Sequence, residues 1–250
     1  MRIAYRQQGS GPPLVLVHGL GAPSEEIWHE IEDELARSFE VVAYDGRGAG
    51  RSDIPPGPYS LDDLAGDLDA LLRALGLEAV SMLGHSLGGA VALRHAAMHP
   101  GRIAAIVGVG TPVVLSDGGA VVAARAEQAE AEGMQGIAET VTRHALTRSF
   151  QRSRPEDTRR FRELIAANDP AGYAANCRAL VGLDLTPDLP RIAARVLLVS
   201  GDEDVVVPHL ANTDYAAALP DGSTHTLADC GHIPPLEQPL ALVEAVRSFL

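Results

Sequence analysis

From Val80 to Ala92 the chain reads Val-Ser-Met-Leu-Gly-His-Ser-Leu-Gly-Gly-Ala-Val-Ala. An apolar, β-like run ends at Leu83, and an Ala/Leu-rich segment at helical period follows to about His99. Between them stands Gly84-His85-Ser86-Leu87-Gly88, a G-x-S-x-G pentapeptide. Such pentapeptides arise by chance in Gly- and Ser-containing chains, but a strand that reverses into a helix over five residues narrows the reading to a nucleophile elbow. The turn predicts a strained backbone at Ser86, with the hydroxyl lifted clear of the sheet. Glycines at 84 and 88 let strand and returning helix nearly touch, and the helix N-terminus favours negative charge beside the serine.

The rest of the chain alternates strand and helix. Arg2 to Gln7 alternates like a strand and Gly9-Ser10-Gly11-Pro12 makes a turn. Leu14-Val15-Leu16-Val17 is a continuous apolar run, suited to a strand buried on both faces. It leads into His18-Gly19-Leu20-Gly21, a candidate oxyanion loop in which the Leu20 N–H would act with the Leu87 N–H; the alternative is a plain strand-to-helix turn. Trp28, opening the next helix, reads as a packing residue near the mouth of the site. Val41 to Tyr44 is a strand, and Asp45 to Asp53 is a Gly-rich loop whose glycines at 46, 48 and 50 miss the G-x-G-x-x-G dinucleotide spacing. Ser60 caps a helix to about Leu75, and Ile103 to Val109 is a further strand.

From 111 to 190 the rhythm changes. Val121–Gly133, Met134–Arg148, Pro155–Asn168 and Ala171–Leu183 read as helices with no strand between them. A helical insertion of this length within a βα series predicts a cap over the site, with the core in 1–110 and 191–250, and a shielded, mostly apolar pocket beneath. Val196 to Ser200 and Thr224 to Leu227 resume the sheet, and Leu240 to Leu250 closes the chain as a helix. His95 and His99 lie at i, i+4 and could ligate a metal, but no third ligand stands nearby in sequence, which favours a solvated helix end before Pro100. No metal site is therefore expected.

Composition excludes several classes of function. The net charge of −13 disfavours a nucleic-acid partner. All 20 basic residues are arginine, so no lysine can form a Schiff base or anchor a pyridoxal cofactor. No apolar run reaches membrane-spanning length. The start of the chain resembles no signal peptide, and Cys177 and Cys230 are too few and too far apart for a disulfide framework, so the expected location is the cytoplasm.

Three loops at strand ends hold the residues that chemistry at Ser86 would need. Serine is a weak nucleophile until a base takes its proton, and imidazole does so near neutral pH. His232 is the candidate base, and Asp204 the candidate carboxylate that fixes its tautomer, with Asp202 as the alternative. Sites in parallel sheets form beyond the C-terminal strand ends, where all of these fall.

His18-Gly19, Asp45-Gly46-Arg47-Gly48-x-Gly50-x-Ser52, Gly84 to Gly89, Gly201-x-x-Asp204-x-x-x-Pro208 and Gly231-His232 together resemble the α/β-hydrolases over essentially the whole chain. The resemblance implies an α/β fold: an eight-stranded, mostly parallel sheet flanked by helices, with a helical cap after strand six. Within that superfamily, Tyr44 to Leu75, Glu132 to Glu139 and Asp169 to Tyr173 look most like 3-oxoadipate enol-lactone hydrolases. Their usual Asn-Ser-Leu-Gly oxyanion loop is replaced here by His18-Gly19-Leu20-Gly21, and Trp28 is the chain's only tryptophan. The implied activity is cofactor-free hydrolysis of a small ester or lactone through an acyl-enzyme, by a monomer or homodimer. C–C bond hydrolysis, cyanohydrin cleavage and perhydrolysis on the same scaffold stay open, as does a non-catalytic ligand receptor.

Overall fold

In the computed structural model, which describes residues 1–250, seven strands form one sheet. They are β1 (Tyr5–Gly9), β2 (Pro13–Val17), β3 (Glu40–Tyr44), β4 (Val80–His85), β5 (Ile103–Val109), β6 (Arg195–Gly201) and β7 (Gly222–Leu227), in the order β1-β3-β2-β4-β5-β6-β7. Only β1 runs antiparallel, pairing Tyr5 with Tyr44 at one edge. Leu14, Val15, Leu16, Met82 and Leu83 are wholly buried. That matches continuous apolar runs in a parallel sheet covered on both faces.

The expected eighth strand is absent. The stretch from Tyr5 to Pro13 holds one strand and one turn, so no second edge strand precedes β2, and the inserted helices follow the fifth strand instead of the sixth.

The covering helices are α1 (Ser24–Trp28), α2 (Glu32–Ala36), α3 (Leu61–Ala74) and α4 (Leu87–Met98). Ser60 and Asp63 form a reciprocal capping box that starts α3, and Leu64, Leu68, Leu71 and Leu72 make its buried stripe. Helix α4 buries ten of its twelve residues, packed between the sheet and α3. Trp28 ends α1 rather than opening a helix, because Pro23 starts that helix five residues earlier. It is wholly buried, a packing residue as expected.

Between β5 and β6 come α5 (Ala120–Glu132), α6 (Gln135–Ala145), α7 (Arg148–Ser153), α8 (Pro155–Ala166) and α9 (Pro170–Arg178). The helix expected over Met134–Arg148 stops at Ala145. Thr147 is extended and its Oγ1 accepts the Phe150 N–H at 3.1 Å, so it caps the separate helix α7. A bridge between Val114 and Asp184 zips the two ends of this insertion together. One apolar cluster of 67 buried residues runs from Leu14 in the sheet through Phe161 and Tyr173 in the insertion. The chain ends with α10 (Asn212–Ala218), α11 (Pro234–Glu237) and α12 (Pro239–Phe249). Both cysteines are free, and no helix is long and apolar enough to cross a membrane.

Candidate active site

Ser86 lies between β4 and α4 with φ 52° and ψ −118°. A non-glycine residue there costs about 1–3 kcal/mol and persists only where its surroundings enforce it. The Ser86 N–H donates to the Val109 carbonyl at 2.8 Å, tying the turn to β5, and the Ser86 carbonyl accepts from Gly89 at 3.0 Å to start α4. A Cβ at Gly84 would stand 2.7 Å from the Gly88 oxygen and the Gly89 backbone, and one at Gly88 would overlap the Val17 and His18 carbonyls. The pentapeptide's two outer glycines are therefore steric requirements of the turn.

The three sequence-predicted polar residues meet here. His232 Nε2 is 3.1 Å from Ser86 Oγ, and His232 Nδ1 is 2.8 Å from Asp204 Oδ2. A carboxylate only accepts, so the proton sits on Nδ1 and the Nε2 lone pair faces the Ser86 hydroxyl, which donates. The other Asp204 oxygen accepts the Val206 and Val207 N–H groups at 2.8 and 2.9 Å. Burial pushes the Asp204 carboxyl up, but the facing imidazole and these amides outweigh it and hold it below the usual carboxylate range. Asp202 is turned away: its Oδ1 accepts the Cys230 N–H at 3.2 Å, pinning the loop that carries His232.

Two further histidines brace the centre. His85 Nε2–H donates to the His232 carbonyl at 2.8 Å, and burial beside His232 pushes its pKa down to about 3. Its ring lies 5.1 Å from that of His232 on one side and 6.5 Å from Trp28 on the other. His18 Nδ1–H donates to the Gly19 carbonyl at 2.8 Å while Nε2 accepts the Gly46 N–H at 2.8 Å. The acceptor role of Nε2 needs the neutral ring, and desolvation lowers its pKa. His18 thus joins the loop holding Leu20 to the loop after β3. The Leu20 and Leu87 N–H groups have no partner within the protein, and Leu87 is the first residue of α4. Unengaged N–H groups at a helix start and an adjacent loop are suited to a developing oxyanion.

Glu237 carried no signal in the sequence. From α11 its carboxylate accepts the N–H groups of Thr147 at 2.9 Å, Gly231 at 3.1 Å and Ile233 at 3.4 Å. The His232 N–H donates to Ala145 at 2.8 Å. The end of α6 and the His232 loop are thereby tied to one side chain. Burial raises the Glu237 pKa against these amides. On the opposite side the Asn176 amide donates to Arg47 at 2.9 Å and the Asn168 amide to Gly21 at 2.8 Å, seating the insertion on the Gly-rich loops. A cleft of about 280 Å³ lies there, lined by Glu25, Glu26, Asp45, Arg51, Asn168 and Asp169 among others, and does not reach Ser86.

The chain matches the model of the alpha/beta hydrolase fold family over residues 12–239. It is 30% identical over 243 residues to 3-oxoadipate enol-lactonase 2 of Acinetobacter baylyi, covering 97% of this chain and 90% of that protein. It is 28% identical to the 2-hydroxy-6-oxo-2,4-heptadienoate hydrolase of Pseudomonas putida, covering 97% and 90%. The crystal structure of the enol-lactonase from Burkholderia xenovorans LB400 superposes with a TM-score of 0.93 at 30% identity, covering 99% of this chain and 95% of that one. Both resemblances carried by the sequence, to the superfamily and to its enol-lactone hydrolases, are borne out, and the chain belongs to the α/β-hydrolase family.

Proposed function

We propose that this α/β-hydrolase cleaves a small carboxylic ester or lactone through an acyl-enzyme on Ser86. The observation that carries the reading is the unbroken relay from Ser86 Oγ through the His232 ring to Asp204, at 3.1 and 2.8 Å. Ser86 Oγ attacks the substrate carbonyl carbon while His232 Nε2 takes its proton. The carbonyl oxygen gains the charge and is held by the Leu20 and Leu87 N–H groups. Collapse breaks the acyl–oxygen bond, and the imidazolium returns the proton to the departing oxygen, which in a lactone stays tethered to the acyl group. Asp204 keeps the ring in the required tautomer and stabilises its charged form without itself becoming protonated. Water, deprotonated by the same nitrogen, then cleaves the ester to Ser86. Residues 111–190 act as the cap, covering the acyl group and excluding bulk water.

An enol-lactone is the favoured substrate, because an enol-lactonase stands among both the sequence relatives and the structural neighbours. The 28% identity to a dienoate hydrolase supports C–C bond hydrolysis as a second reading. A panel of enol-lactones, activated esters and 2-hydroxy-6-oxo dienoates separates them. The proposal expects the highest kcat/KM on a lactone or ester; turnover confined to the dienoates would replace it with the second reading.

A further inference from the structure

We propose that the C-terminal end of α4 and the facing side of α3 form a divalent metal site, with Asp69, His95 and His99 as ligands and Zn²⁺ as the cation it fits. His95 lies in the last turn of α4 and His99 just past its end, and the two ring centroids are 4.8 Å apart. Asp69 comes from α3, which packs alongside. His95 Nε2 lies 3.6 Å from Asp69 Oδ1 and His99 Nε2 lies 4.0 Å from the same oxygen; the three ligand atoms all fall within 4.8 Å of one another. These separations are too long for hydrogen bonds. They approach the edge of a tetrahedron around zinc, about 3.4 Å for bonds of about 2.1 Å.

The second observation is His95 itself. It is wholly buried, yet neither ring nitrogen has a hydrogen-bond partner, and Asp69 Oδ1 has none either. Buried polar atoms are rarely left so, and two of them, His95 Nε2 and Asp69 Oδ1, facing each other beside His99 imply a ligand. This overturns the expectation of a solvated helix end: the third ligand is distant in sequence and adjacent in space. Burial also favours the neutral imidazole, the form that coordinates a metal.

The surrounding charges leave room for the cation. Arg73 Nε engages the other Asp69 oxygen, Oδ2, at 2.6 Å, so Oδ1 stays free. Arg102 Nε stands 3.7 Å from Oδ1 and is the one competing cation; its Nη2 reaches back to the Leu77 carbonyl at 3.4 Å. His99 is partly exposed and can close the remaining distance, leaving the fourth position to water. Two imidazoles and one carboxylate select a borderline cation over Ca²⁺ or Mg²⁺. His95 is nine residues beyond Ser86, about 14 Å along the helix. A metal there would cross-link α3 to α4 and stabilise the fold without entering the reaction.

The test is titration of the chelator-treated full-length enzyme with Zn²⁺ by calorimetry and thermal unfolding, with Co²⁺ as the spectroscopic probe. One equivalent of Zn²⁺ should bind and raise the unfolding midpoint, and Co²⁺ should give the visible bands of a tetrahedral site. His99→Ala, at a partly exposed helix end, and Asp69→Asn should each weaken binding by at least ~10-fold, a typical loss for a perturbed metal site. Arg102→Gln should tighten it, and ester turnover by His99→Ala should match wild type. His95→Gln should behave like His99→Ala; if it fails to fold, the His99 and Asp69 variants decide. Absence of saturable one-equivalent binding overturns the site, as does binding that survives His99→Ala and Asp69→Asn.

Discussion

Helix α4 has histidines near both ends, and the two ends treat them differently. At its start, His18 and His232 have both ring nitrogens committed to named partners and His85 has its Nε2 committed, which fixes the three tautomers. At its end, His95 is equally buried with both nitrogens free. A proton relay must have defined donors and acceptors before substrate arrives. A site for a cation must have lone pairs that nothing else has claimed. One helix thus presents a strained end, where every ring is anchored by at least one hydrogen bond and only His85 Nδ1 is unpaired, and a relaxed end, where the His95 ring has none.

The sharpest way to break the first half of this contrast is Ser86→Ala. It should lower kcat on an activated ester by on the order of 10⁶-fold with little change in stability, the loss expected when a nucleophile acting in a coupled set is removed. Next comes Asp204→Asn, expected to cost about 10⁴-fold in kcat because the amide's NH₂ can face Nδ1 only if the ring takes the wrong tautomer. Steady-state kinetics and a thermal melt on each separate chemistry from folding.

Glu237→Gln probes how the His232 loop is tied to the inserted helices. One amide nitrogen must then face a backbone N–H in a half-buried place, which should destabilise the fold by about 1–3 kcal/mol. Displacement of the His232 loop should lower kcat by roughly 10-fold, more than it changes KM. An unchanged kcat would show that the tie is structural only.

A further effect, on stability alone, is in the acid range. The folded pKa of His85 is depressed to about 3 from 6.5, so its contribution to stability is complete above pH 6.5 and is lost as pH falls from there toward 3. Asp204, also depressed, acts in the same direction below its unfolded value of 3.8. Denaturant midpoints should fall steadily below pH 6.5, and His85→Gln should flatten that fall over the same interval. Parallel profiles would show that His85 is charged in the native state.

Most of the proposed active site was legible because its signals are local. Gly84 and Gly88 announce a turn that only glycine permits, Asp204 sits just past an apolar strand, and His232 sits in a loop after the polar edge strand β7. The sheet was legible too, since doubly covered strands read as unbroken apolar runs. What escaped depends on contacts between elements distant in sequence. Asp69 is 26 positions before His95, so no spacing rule joins them. Glu237 reaches Thr147 across 90 positions through backbone N–H groups that exist at every residue and therefore leave no mark. The break between α6 and α7 turns on a single threonine cap inside an otherwise helical pattern.

The most direct test of the central claim, that Ser86 is the nucleophile, is labelling with a fluorophosphonate followed by peptide mass spectrometry. A single covalent adduct on Ser86 is expected, lost in Ser86→Ala and strongly slowed in His232→Ala. An unlabelled Ser86 in an active preparation, or an adduct on another residue with activity abolished, would contradict it.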